Sequence, residues 1–295
     1  MGSRVETFST PEPARVKVRN PAGDVRVEAA DVTETRVELV PLNNADSTRE
    51  AIERAAVGQR GDEIHVELEG RGWSITIGNW GIGSPKVGVR VTCPTGSALD
   101  CDTASADVRS SGTLGEGRIR TASGDVTVEE VTGRLELKTA SGDLRLERAG
   151  GPCSITTVSG DVDAGTLGAD LAVNSVSGDV QVGEVGGDVA ISSVSGDQRV
   201  RAAGPGELLL KAVSGDVQVA IRRGLRVKLD VNSVSGSIGS ELEVRDSPAG
   251  SDAPLADLRV RTVSGDVKIG RAAEAFAGDG AHSSPATASV STAQA

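Results

Sequence analysis

The sequence predicts an all-β fold: a parallel β-helix (β-solenoid) with 18-residue coils, preceded by a strand-rich N-terminal capping region. Three observations predict it. Ser-Gly-Asp recurs at Ser123, Ser141, Ser159, Ser177, Ser195, Ser214 and Ser264, with degenerate copies at Ser105 (Ser-Ala-Asp) and Ser235 (Ser-Gly-Ser). From Ser105 the steps are 18 five times over, then 19, 21 and 29. Around each copy, apolar residues alternate with polar ones, the period of a half-buried strand. The composition agrees: 38 glycines and 38 valines among 295 residues, against four aromatics and no tyrosine. Such a chain favours strands and tight turns, and its core is built almost wholly from Val, Leu, Ile and Ala.

Residues 1–97 lack the 18-residue step but are strand-rich. Candidate strands are Val5–Phe8, Arg15–Arg19, Val25–Ala29, Thr35–Val40, Ile64–Glu69, Trp73–Ile77 and Lys86–Cys93. Asp46–Ala56 reads as a short helix with Asp46 or Ser47 as its N-cap. A solenoid needs a cap at its end, because a terminal coil exposes unpaired strand edges and apolar side chains.

Residues 98–270 form the repeats. One apolar pair follows each Ser-Gly-Asp, as in Val126/Val128, Leu144/Leu146, Val180/Val182 and Val267/Ile269. Nine residues on comes a second pair, as in Leu135/Leu137, Cys153/Ile155, Leu171/Val173 and Val189/Ile191. A third apolar column precedes the serine: Ala122, Ala140, Val158, Val176, Val194, Val213, Val234 and Val263. Each unit is strand, turn, strand, turn, and stacking sets each column above itself to make one continuous core. About nine coils, each rising ~4.8 Å, give a rod of roughly 40 Å, taken as right-handed. The regularity breaks at Gln198, at Gly204-Pro205-Gly206, between Ser214 and Ser235, and around Glu243–Ala256. Insertions in solenoids bulge from one face, where binding concentrates. Residues 271–295, rich in Ala, Ser, Gly and Thr, read as a disordered tail.

Several function classes are excluded. The chain has 42 acidic against 31 basic residues, a net charge of −11. With so few aromatics it lacks both the cationic field and the stacking platforms of a nucleic-acid binder. No apolar run is long enough for a membrane span. Met1–Val16 shows no apolar signal-peptide segment and no lipobox, so the expected location is cytoplasmic.

Val-Ser-Gly-Asp-Val repeated every 18 residues behind a strand-rich N-terminal region resembles a bacterial family of unknown function, the β-strand-repeat or putative adhesin domains. The likeness covers about residues 5–270. It implies a β-helical fold and no established chemistry. The adhesin label implies surface exposure, whereas this sequence shows no export signal or anchor. A looser likeness is to bactofilins, cytoskeletal β-helices that polymerise end to end.

The sharpest candidate site is the aspartate column Asp107, Asp125, Asp143, Asp161, Asp179, Asp197, Asp216 and Asp266. Neighbouring carboxylates one strand spacing apart repel by ~0.9 kcal/mol in water before screening, so something offsets them. One reading is a ladder of bound cations such as Ca²⁺. The reading adopted is structural: Ser and Asp side chains accept turn N–H groups and glycine supplies a positive φ. The fuller Gly-rich pattern of calcium-binding nonapeptides is missing. Cys93, Cys101 and Cys153 read as core residues rather than nucleophiles or zinc ligands. His65 alternates against Ile64 and Val66 and reads as solvated. No histidine falls in the repeats, which excludes a serine triad there. Trp73 and Trp80 read as a plug over the first coil or an exposed recognition loop. Arg245, Asp246 and Asp252 lie in the longest insertion and are interaction candidates.

The expected function is therefore a non-enzymatic solenoid scaffold or protein-interaction (adhesin-like) module. No catalytic residue and no cofactor is expected, and the partner is an unspecified protein or a second copy. A polymer-forming structural protein and an ion- or carbohydrate-binding protein are the alternatives.

Overall fold

The computed structural model describes residues 3–68, 85–242 and 253–272. Trp73, Trp80, Arg245, Asp246, Asp252, the candidate strand Trp73–Ile77 and residues 273–295 of the tail lie outside the described residues, while Arg271, expected in the tail, closes the last strand and Ala272 beside it is buried. The N-terminal elements are β1 (Arg4–Ser9), β2 (Arg15–Asn20), β3 (Gly23–Ala30), β4 (Glu34–Pro41), α1 (Asp46–Arg54), β5 (Ala56–Arg60), β6 (Glu63–Glu67) and β7 (Val87–Pro94). The repeats run β8 (Ala98–Thr103), β9 (Asp107–Leu114), β10 (Gly117–Arg120), β11 (Val126–Val131), β12 (Leu135–Lys138), β13 (Leu144–Ala149), β14 (Cys153–Thr157) and β15 (Val162–Leu167). They continue as β16 (Leu171–Ser175), β17 (Val180–Val185), β18 (Val189–Ser195), β19 (Gln198–Ala203), β20 (Gly206–Ser214) and β21 (Val217–Ile221). The last four are β22 (Arg226–Ser235), β23 (Ile238–Ser240), β24 (Leu255–Ser264) and β25 (Val267–Arg271).

The strands form two long, mostly parallel sheets. One runs β1-β4-β7-β3-β9-β11-β13-β15-β17-β19-β21-β25-β23, and the other β22-β24-β20-β18-β16-β14-β12-β10-β8-β2-β6-β5. Successive repeat strands alternate between them. Val126 pairs with Leu144, Leu144 with Val162, and Val162 with Val180 in the first sheet; Leu135 pairs with Cys153 and Cys153 with Leu171 in the second. Both inner faces bury the alternating apolar pairs: Val126, Val128, Leu135, Leu137, Ile155, Val182 and Ile191 are at most 1% exposed. The N-terminal strands join the same two sheets, β2 pairing with β8 and β3 with β9.

Stacking does not follow chain order at either end. β6 and β7 follow β2 and β3 in sequence but lie outside them, on the side away from the repeats. At the other end β24 and β25 insert between β20–β21 and β22–β23. Ser214 therefore pairs with Ser264, not with the next copy at Ser235. The chain thus steps out one level at β22–β23 and returns at β24–β25 to fill the gap.

Three expectations are corrected. The helix starts one residue after Ala45, which makes no side-chain cap; the Asn43 side chain accepts from the Ala45 N–H and the Thr48 hydroxyl instead. His65 is half-buried against Gly58 across the β5–β6 hairpin rather than solvated. The third apolar column is not core. Val158, Val176, Val194, Val213 and Val263 are each 47–49% exposed, while the positions just before them, Thr157, Ser175, Ser193, Ala212 and Thr262, point inward and are buried.

Candidate functional site

In three successive coils the turn joining the two sheets is built by three side-chain contacts, of which only the aspartate contact continues through the later coils. The buried Thr121, Thr139 and Thr157 hydroxyls accept from the N–H groups of Gly124, Gly142 and Gly160 at 2.9–3.0 Å. The Ser123, Ser141 and Ser159 hydroxyls donate to the carbonyls of Ala104, Ala122 and Ala140 in the preceding coil. Each aspartate then accepts the backbone N–H of the aspartate in the next coil. Asp125 donates to Asp107, Asp143 to Asp125, Asp161 to Asp143, Asp179 to Asp161, Asp197 to Asp179, and Asp216 to Asp197, at 2.8–3.1 Å.

The ladder follows space, not sequence. Asp266 donates to Asp216, and Asp266 in turn accepts from Ser237 at 2.8 Å. That contact holds the Asp266 carboxyl below the usual carboxylate range. The copy that lacks an aspartate, Ser235-Gly236-Ser237, is thus the one at the end of the stack among the described residues. The carboxylates act as acceptors between coils, and no cluster of His, Cys, Asp and Glu able to hold a metal occurs among the described residues. The role expected of the glycines also changes. Gly178, Gly196, Gly215 and Gly265 take φ of 120–147°, but Gly124, Gly142 and Gly160 do not lie in that region. What all share is close approach, since a Cβ at any of them would overlap backbone of the neighbouring coil.

The turn geometry sets a specific outer face on the second sheet. Because Leu171 and Val173 point inward, Ala172, Asn174 and Val176 point outward. The same positions are Ser154, Thr156 and Val158 one coil earlier, then Ala190, Ser192 and Val194, then Leu209, Lys211 and Val213. Twelve outward side chains over four coils include a single charge, Lys211. A shallow trough of about 510 Å³ runs along one margin, floored by Ser154, Ala172 and Ala190 and rimmed by Arg134, Glu136, Asp170, Asp188 and Glu207. On that rim a second ladder repeats the first: Asp188 donates to Asp170, and Glu207 to Asp188. The opposite margin is the exposed valine ridge.

Charged clusters bound this face at both ends. Toward the N-terminus, Glu136 meets Lys138 at 2.6 Å and Arg118 at 3.2 Å, and the Lys138 hydrogen bond, then Arg118, hold its carboxyl below the ordinary range. Toward the C-terminus, Asp257 meets Lys228 at 3.0 Å and Arg259 at 3.1 Å, with its carboxyl likewise lowered, first by Lys228. The outer face of the first sheet carries more charge, with Arg145 facing Asp163 and Arg148 facing Glu129 and Glu130, interspersed with Thr127, Gln181 and Gln218. All three cysteines are buried, and burial raises Cys93 and Cys153 to about 11 and Cys101 further.

Sequence reasoning located the aspartates but not this face. The signal was present as parity, since Val176 lies an odd number of residues beyond inward-pointing Leu171.

The sequence profile of the Toastrack DUF4097 family matches residues 14–168 and again residues 165–270. No curated protein matches the sequence. Among solved structures, the chain is similar to a putative adhesin from Bacteroides fragilis, at 14% identity over 91% of this chain and 97% of that one, TM-score 0.47. It is similar to a putative adhesin from Parabacteroides distasonis, at 13% identity over 91% and 97% of the two chains, TM-score 0.44. It is also similar to a putative lipid binding protein from Parabacteroides distasonis, at 12% identity over 92% and 95%, TM-score 0.34.

Proposed function

The chain belongs to the Toastrack DUF4097 family, and we propose that it works as a non-enzymatic, adhesin-like interaction module, a β-solenoid of 18-residue coils that binds a protein partner on the outer face of its second sheet. One observation carries the reading: Val158, Val176, Val194 and Val213 form a continuous, half-exposed apolar ridge beside a nearly uncharged strip. Valines one strand spacing apart leave a contiguous apolar surface in water, and such surfaces on soluble domains mark interaction sites. Their burial in the core would need a one-residue change of register, which the inward pairs forbid. Charged clusters at both ends give the patch a polar rim, the arrangement of a protein interface.

The test uses a photo-crosslinking residue at Asn174 and, separately, at Gln181 on the first sheet, in the native host. Adducts at Asn174 that disappear in a Val176→Lys/Val194→Lys variant of unchanged melting temperature support the reading. Equal adducts at both positions, or adducts that survive the lysines, refute it.

A further inference from the structure

The two ends of the stack are built differently. At the N-terminal end the parallel sheets are finished by antiparallel strands: β1 on β4 and β4 on β7 in one, β5 on β6 in the other. Helix α1 buries Thr48 and Ile52 there, and Arg4 ties β1 to it through the carbonyls of Ile52 and Ala55 at 3.2 and 2.8 Å. At the C-terminal end the last coil is β22 and β23, and nothing among the described residues finishes it. Leu229 and Val231 stand in register with the fully buried Leu258 and Val260, so they carry the core columns to the edge. Leu229 is 40% exposed, Ile238 50% and Val234 78%, the last well above its column mates.

An open ten-residue edge presenting apolar core side chains is a template for strand addition. The sequence of this edge says what it takes. Around Leu229 it reads Val227-Lys228-Leu229-Asp230-Val231, which is self-complementary when reversed. We propose that β22 pairs antiparallel with β22 of a second copy, about a two-fold axis through Leu229, giving a tail-to-tail dimer. Lys228 of each copy then faces Asp230 of the other, Val227 faces Val231, and Leu229 faces Leu229. Opposite charges and β-branched pairs directly across an antiparallel ladder are both favourable. The new pairs extend existing ones, since Lys228 already meets Asp257 and Asp230 meets Arg261 at 3.1 Å on the inner side. The missing aspartate at Ser237 fits: a further parallel coil would bring a turn N–H to that corner, whereas an antiparallel neighbour does not. With one open end and one finished end the assembly closes at two copies instead of growing into a filament.

Light scattering of the full chain tests this. The wild type is expected at twice the 30.0 kDa chain mass. Lys228→Asp and Asp230→Lys each put like charges across the two-fold, and each is expected to weaken the dimer at least tenfold. Mixing the two variants restores opposite charges at every contact and is expected to restore a dimer. Leu229→Cys places two thiols across the axis at disulfide distance and is expected to give a covalent dimer on oxidation, whereas Ala172→Cys is not. A wild-type monomer at about 100 µM overturns the proposal, whether its β22 amides exchange freely or are covered by the rest of the chain. A dimer that ignores both charge variants and resists crosslinking at residue 229 also overturns it.

Discussion

Replacing Gly160 by alanine tests the stacking argument directly. A Cβ there would lie 2.7 Å from the carbonyl carbon of Gly142 and nearer still to its oxygen. Carbon–carbon contacts settle near 3.5 Å, so the two coils must part by at least about 0.8 Å at this corner. Neither side can yield alone, because both groups are backbone within hydrogen-bonded turns. The bonds that span the gap are Ser159 N–H to the Ala140 carbonyl at 2.9 Å and Asp161 N–H to the Asp143 carboxylate at 3.0 Å. Lengthened by that amount both pass the useful range. At ~1 kcal/mol for each bond, plus ~1–2 kcal/mol of loosened packing between adjacent core columns, the cost is about 3–4 kcal/mol. Gly168→Ala is the control within the same coil, since its Cβ would meet only ordinary contacts at 3.5–3.7 Å. Urea unfolding followed by far-ultraviolet circular dichroism should show Gly160→Ala well below wild type and Gly168→Ala within about 0.5 kcal/mol of it. If the two variants are equally stable, close approach is not what selects glycine in these turns.

Three further outcomes are expected. Gln198, fully buried between Val180 and Val217, donates to the Ser193 hydroxyl and the Lys211 carbonyl but leaves its Oε1 unpaired. Gln198→Val removes that orphan and completes the apolar column, so it should stabilise by ~0.5–1 kcal/mol in chemical denaturation; a loss above ~1 kcal/mol would mean the two donated bonds outweigh the orphan. Burial raises the folded thiols of Cys93 and Cys153 from 9.0 to about 11. Below pH 9 both states hold their protons and the contribution is complete; between pH 9 and about 11 only the unfolded chain ionises, so stability should fall across that window and the fall should vanish in a Cys→Ala background. Native thiols should also resist alkylation at pH 8. Finally, each ladder carboxylate already spends one oxygen on a backbone N–H, so millimolar Ca²⁺ should leave the melting temperature unchanged; a dose-dependent rise would revive a cation ladder.

What could be read from the sequence was everything that repeats locally. The in/out assignment of Val126, Leu144, Leu171 and Val189 follows from period-two alternation, and the corner position of each aspartate follows from its place between alternating runs. The exposure of Val176 and its mates was legible too, by parity, but hydrophobicity alone misplaces it, since valine at a corner looks like valine in a core. β5 was not legible: Ala56–Arg60 shows no alternation and is a strand because it closes a hairpin on β6.

The sequence by itself determined the repeat, the core columns and the side chains that build each turn, because these depend on residues within one coil. Only the tertiary structure decided which coil lies beside which. The coils carry nearly the same inward pattern, so alternation alone does not say whether Ser214 pairs with Ser235 or Ser264; burial of the inserted coil between β20 and β22 favours Ser264. That non-local choice puts β22 and Ser237 at the edge of the described sheets and sets Arg259 and Asp257 beside the last residues of the nearly uncharged face.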